Sequence, residues 1–173
     1  MLYFGHTGIS KGIDILIAMI PEILQTFPDL QLILNCIPAK RTAEILQGIE
    51  EMRADLPLEQ AKRLQVWTGM EKEKLRALVG AVDCVIAPSL SEGFGSVHTE
   101  TLSLGTPLIT TAVASLPEVV GGKVVLIPPG DGQAIVDAIR RVRKSDFDPL
   151  PVKHFDRELQ FEQLWELYER IQR

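Results

Sequence analysis

The sequence predicts an α/β domain built on a doubly wound, mostly parallel sheet of about six strands. Three observations lead there. Short apolar runs alternate with stretches that carry apolar residues at helical spacing. The connections between them are short and punctuated by Gly, Pro and Asp, as in repeated βαβ units. The chain has 173 residues, 46% of them apolar and 24% charged, which is enough to bury a sheet between two helical layers.

Taken in order, Leu2 to Phe4 reads as the first strand, followed by a polar, glycine-bearing loop from Gly5 to Gly12. Ile13, Leu16, Ile17, Ile20, Ile23 and Leu24 lay an apolar stripe along a helix from Ile13 to Thr26. Pro28 and Asp29 punctuate its end, and Leu30 to Leu34 is the second strand. Thr42 to Ala54 is an amphipathic helix, with Pro57 near its end and a further turn through Lys62. Leu64 to Trp67 is a third strand and Lys72 to Gly80 a helix. Val82 to Ile86 is the fourth strand, its unbroken apolar run fitting a position covered on both faces. Val97 to Leu104 suits a helix, closed by Gly105 and Pro107. Strands at Leu108 to Thr111 and Val124 to Ile127 complete the sheet, with a turn from Ser115 to Gly122 between them. Within that turn Leu116, Pro117 and Glu118 can start a short helix aimed into the ligand cleft. Pro128 to Asp131 opens a helix to about Lys144, and a polar stretch from Ser145 to His154 leads to a last helix, Arg157 to Gln172. Residues 1–173 are expected to form one domain of Rossmann-like form, with right-handed crossovers.

Composition narrows the function. A net charge of -5 argues against general nucleic-acid binding, which needs a basic face. Cys36 and Cys84 each end an apolar run and read as small core residues, not as a disulfide or metal framework. No secretory leader or membrane-spanning run is visible, so a cytoplasmic location is expected. Met1 to Phe4 reads as a core strand with no lead-in, the look of an excised domain or half-protein.

The chemistry concentrates after the fourth strand. Glu92 and Glu100, with seven residues between them, flank the turn Gly93-Phe94-Gly95 at the carboxyl end of that strand. Open α/β sheets gather ligands on this edge, where loops and helix starts converge. A helix start offers unpaired N–H groups and partial positive charge to a phosphate. The carboxylates are acceptors, suited to hydroxyl groups. Gly95 lets backbone approach a ligand closely, and Phe94 can wall the pocket. On the same edge, Lys11 can reach a phosphate as a mobile point charge, and His6 can donate to it when protonated. Backbone groups around Gly69 and Met70, after the third strand, can meet a base, whereas Trp67 reads as a core residue. His98 and His154 lack metal-ligand spacing, and no metal site is expected. An anion cradle beside hydroxyl acceptors describes a nucleotide-sugar pocket.

These residues resemble a known family. Glu92-Gly-Phe-Gly95, Glu100 and Gly105-Thr-Pro-Leu-Ile109 are similar to the signature of retaining glycosyltransferases of the group 1 type (family 4). Phe4-Gly5, Lys11-Gly12, Pro88-Ser89, Pro117-Glu118, Pro128-Pro-Gly-Asp131 and a closing helix with Trp165 and Tyr168 extend the likeness. The resemblance implies the GT-B fold of two facing Rossmann-like domains, of which this chain resembles the C-terminal, donor-binding one. It implies that Glu92 contacts donor-sugar hydroxyls and Glu100 the ribose. It further implies that amides of Gly95, Ser96 and Val97, with Lys11, hold the diphosphate, and that Met70 lies near the base. Catalysis is then electrostatic, by cations and a helix start acting on the leaving diphosphate of a UDP- or GDP-linked sugar, without a metal cofactor. The partner implied is an N-terminal acceptor-binding domain, through which the full-length protein can make peripheral membrane contact.

Departures from the family pattern are His6, where arginine is usual, and Asn35-Cys-Ile-Pro38, where a glycine-rich turn is common. His6 and the missing acceptor-binding domain keep a second expectation open, a degenerate half serving as scaffold or regulatory module. A third is a related GT-B nucleotide-sugar epimerase or phosphorylase, which the two carboxylates and the Gly-Phe-Gly turn fit less well than a transferase.

Overall fold

The computed structural model describes residues 1–172. Six strands, β1 (Leu2–His6), β2 (Leu32–Ile37), β3 (Leu64–Thr68), β4 (Val85–Ala87), β5 (Leu108–Thr111) and β6 (Val124–Ile127), form one sheet in the order β3-β2-β1-β4-β5-β6. Every adjacent pair is parallel. The helices are α1 (Ile13–Thr26), α2 (Thr42–Asp55), α3 (Leu58–Ala61), α4 (Lys72–Ala81), α5 (Ser96–Ser103), α6 (Leu116–Val119), α7 (Gly132–Arg143) and α8 (Arg157–Ile171).

Alternation along each strand divides the core between two faces. Tyr3, Leu34, Ile86, Ile109 and Val125 pack on one face with the apolar stripes of α1, α2 and α7. Leu2, Phe4, Val85, Leu108 and Val124 pack on the other with α4, α5 and α6. Because the chain runs outward from β1 in one direction and from β4 in the other, the loops after these two strands part and leave a crevice between them.

Several boundaries differ from expectation. Leu30 closes a turn, its N–H bonding to Phe27, so β2 starts at Leu32 and extends to Ile37, paired with His6. Val82 caps α4 by donating to the Leu78 carbonyl, which delays β4 to Val85. Trp67 is not a core residue: β3 is an edge strand, and the indole is 37% exposed. The stretch 145–154 is more than a link. Asp148 donates its N–H to Val124 and accepts from Leu126 through Oδ2 at 2.6 Å, while Gly122 donates to Leu150. This strap covers the free edge of β6, which would otherwise present unpaired backbone groups. It passes so close that a Cβ on Gly121 would stand 1.9 Å from the Pro151 carbonyl oxygen.

The last helix is built differently. Asp156 caps it by accepting from the N–H groups of Glu158 and Leu159. Yet Phe161, Leu164, Trp165, Tyr168 and Ile171 all remain exposed on α8. Among the described residues, no helix is long and apolar enough to cross a membrane.

Candidate functional site

Two loops meet at the carboxyl edge of the sheet, and backbone contacts set their distance. After β1 the chain makes a 3-10 turn, Ile9–Lys11, then enters α1 through Gly12 in the left-handed region at φ 65°. Ser10 accepts from the N–H groups of both Leu90 and Ser91 in the loop after β4. Gly12 lies against Pro88 so tightly that a Cβ would fall 1.9 Å from its carbonyl oxygen.

This docking brings Lys11 to Glu92. Its ammonium donates to both carboxylate oxygens, at 2.9 and 2.7 Å, and Ser89 Oγ approaches the carboxylate at 3.3 Å. The two side chains are 29% and 11% exposed, so the pair is partly sheltered and open on one side. Gly95 follows as the N-cap of α5 at φ 87° and is buried. A Cβ there would stand 2.8 Å from Leu116 Cδ2 and 3.0 Å from His98 Nδ1, so the turn admits only glycine.

The resulting crevice, of about 290 Å³, is lined by His6, Lys11, Glu92, Ser96, Val97 and Glu100 over a floor of Phe4, Gly5 and Ala87. Six of the expected residues thus share one space with the start of α5. The remaining four stand otherwise. Gly95 is buried behind the crevice wall, Gly93 is exposed, and Met70 is half-buried outside the lining. Phe94 is also outside it; the ring is 50% exposed and meets Phe155 edge-on at 5.4 Å. The short helix expected after β5 forms as α6, with Leu116 packed in the core and against Gly95 while Glu118 stays exposed.

A larger cavity, about 880 Å³, lies at the opposite edge and is lined by residues such as Met1, Asp83, Cys84 and Pro107. It sits at the amino ends of the strands, away from the helix starts, and two of its charges, Asp29 and Arg143, already pair with each other at 2.8 Å. The smaller crevice is therefore the candidate site. Among the described residues, no three potential metal-ligating side chains converge.

His98 lines the same crevice, and neither its motif nor its spacing pointed to it. It is 1% exposed, with Nε2 at 2.8 Å from Thr110 Oγ1 and Nδ1 without a partner. Burial pulls the imidazole down from 6.5 to about 4, against the pull of Glu92 and with the help of Lys11. The native ring is therefore neutral, while the unfolded chain protonates it below pH 6.5. Its contribution to stability is complete above pH 6.5 and is lost as pH falls toward 4, on the order of 3 kcal/mol in all. Melting temperatures of the wild type and His98→Gln, followed from pH 7 to 4, should diverge in that window. Parallel curves would remove His98 as a cause.

Comparison with known proteins points to the same fold. The family model described as "Glycosyl transferases group 1" matches residues 1–145. A D-inositol 3-phosphate glycosyltransferase from Corynebacterium diphtheriae is 30% identical over 149 residues, covering 84% of this chain and 34% of that protein. The corresponding protein of Corynebacterium urealyticum is 28% identical across 98% of this chain and 42% of its own length. The chain thus spans less than half of these relatives. Among solved structures, sucrose-phosphate synthase from Thermosynechococcus elongatus superposes with a TM-score of 0.67 at 27% identity, over 83% of this chain and 36% of that one. The C-terminal domain of a group 1 family glycosyl transferase from Francisella tularensis shares the fold, with a TM-score of 0.66 at 20% identity, over 83% of this chain and 74% of that domain.

Proposed function

The chain belongs to the group 1 glycosyl transferases and corresponds to their C-terminal, GT-B-type half; from that premise we propose that it binds a nucleoside-diphosphate sugar for retaining, metal-independent hexose transfer. The observation that carries this reading is the convergence of Lys11, Glu92, Glu100 and the start of α5 on one crevice. Amides at the start of α5 and the Lys11 ammonium suit a diphosphate, whose charge grows as the glycosidic bond breaks. Glu92 and Glu100 suit hydroxyls of the sugar and the ribose on either side. Lys11 brings its ammonium to the crevice, and His6 lines the same space with an imidazole.

The acceptor, a glycan, lipid or other molecule, is then held by an N-terminal half that packs against α8. The exposed Phe161, Trp165 and Tyr168 support that docking. Cys36 and Cys84, buried and free, suit a reducing compartment such as the cytoplasm.

The test is thermal unfolding of this chain with UDP, GDP and their linked hexoses. A ligand at about ten times its Kd should raise the midpoint by about 3–5 °C. No response to any of them well above millimolar concentration would sink the reading. Joining the chain to its N-terminal half and assaying transfer separates an enzyme from a scaffold, which would stay inactive.

A further inference from the structure

We propose that His98 is a positioning residue for the anion-binding turn, holding Gly95 and the start of α5 in register with the end of β4 through Thr110. The inference rests on the reading of the crevice as a nucleoside-diphosphate site and goes beyond it by naming what fixes the site's geometry.

The tautomer follows from the hydrogen bonds. Thr110 spends its only proton on the Ala87 carbonyl at 2.8 Å, so the 2.8 Å contact with His98 must be donated by the imidazole Nε2–H. Nδ1 is then a bare lone pair beside the glycine turn, 3.0 Å from the place a Gly95 Cβ would occupy. The backbone of His98 also donates to the Gly95 carbonyl at 3.0 Å. The imidazole therefore lies beside the turn at one nitrogen and is tethered at the other to Thr110 of β5, which bonds on to Ala87 at the end of β4. Leu116 packs against the same point of the turn, its Cδ2 2.8 Å from that Cβ position.

The tether has a chemical consequence. Ser96 and Val97 sit between the Gly95 turn and His98, so losing the tether at His98 would loosen the backbone whose amides the site reading assigns to the anion. A neutral ring also leaves Lys11 as the cation beside Glu92, with His6 exposed at the end of β1 and Glu100 one turn along α5. A side chain that only filled space at position 98 would keep the core packed and leave the helix start free to drift. The requirement is thus for a donor at the Nε2 position, not for bulk.

The experiment is UDP binding, by calorimetry, to the wild-type chain, to four single variants and to one double variant. His98→Leu and Thr110→Val should each weaken UDP binding about tenfold, the scale expected when one buried hydrogen bond is lost and its partner stranded. His98→Gln, which restores a donor near the Nε2 position, and Thr110→Ser should recover most of the affinity. The double variant His98→Leu with Thr110→Val should be no weaker than the worse single one. Wild-type affinity in His98→Leu and Thr110→Val would overturn the inference while leaving the nucleotide site standing, and so would a folded His98→Gln as weak as His98→Leu. Should His98→Leu fail to fold, Thr110→Val and Thr110→Ser decide alone. Absence of UDP and GDP binding in the wild type would overturn both the inference and the site reading.

Discussion

Gly12→Ala is expected to cost on the order of 4 kcal/mol or more and to lower the melting temperature by about 8–16 °C. Two effects add. The residue sits at φ 65°, where a Cβ is strained, and the added methyl would collide with backbone, the Pro88 carbonyl oxygen at 1.9 Å and its carbon at 2.9 Å. Backbone cannot swing aside as a flexible side chain can, so relief requires separating the loops after β1 and β4. Separation breaks the bonds from Leu90 and Ser91 to Ser10 and draws Lys11 away from Glu92. Stability and nucleotide binding should therefore fall together. Gly8→Ala is the control: it stands in extended backbone at φ -74°, and its Cβ would meet nothing closer than Ser10 Oγ at 3.8 Å. Equal melting temperatures for the two variants would remove the claim that this contact sets the crevice.

Lys11→Ala should weaken UDP binding ten- to hundredfold, about 1.5–3 kcal/mol, the worth of a charge-assisted bond to phosphate. The free protein makes the sign of a second substitution informative. Lys11 is held by Glu92 before any ligand arrives, so an anion must compete with the carboxylate for it. Glu92→Gln releases that competition. UDP alone should bind Glu92→Gln as well as the wild type or better, whereas a UDP-hexose should lose the advantage its sugar gives over UDP. Titration calorimetry with both ligands separates the two carboxylate roles, and undiminished UDP binding by Lys11→Ala would place the phosphate elsewhere.

Local pattern reached far into this fold. α1, β5 and β6 have the bounds that periodicity and punctuation assign, because their apolar spacing and their Gly or Pro stops act within a few residues. The boundaries that moved did so through partners. β2 runs on to Ile37 because β1 offers His6 for pairing, and Val82 was taken by the carbonyl ladder of α4. Trp67 is aromatic and lies in a strand, and nothing in its neighbourhood reveals that the strand is outermost. Phe94 turned to Phe155, a residue sixty-one positions later, and left the crevice wall to others.

The sequence alone determined the parallel α/β class and the sheet edge on which Lys11, Glu92 and Glu100 gather, since a glycine turn between carboxylates after a buried strand is a short-range signal. Only the tertiary structure decided that Lys11 and Glu92 meet, that His98 is tethered behind the turn, and that Phe94 and Met70 stand aside. Those outcomes depend on strand order and on backbone contacts between loops some eighty residues apart, distances that no window along the chain spans.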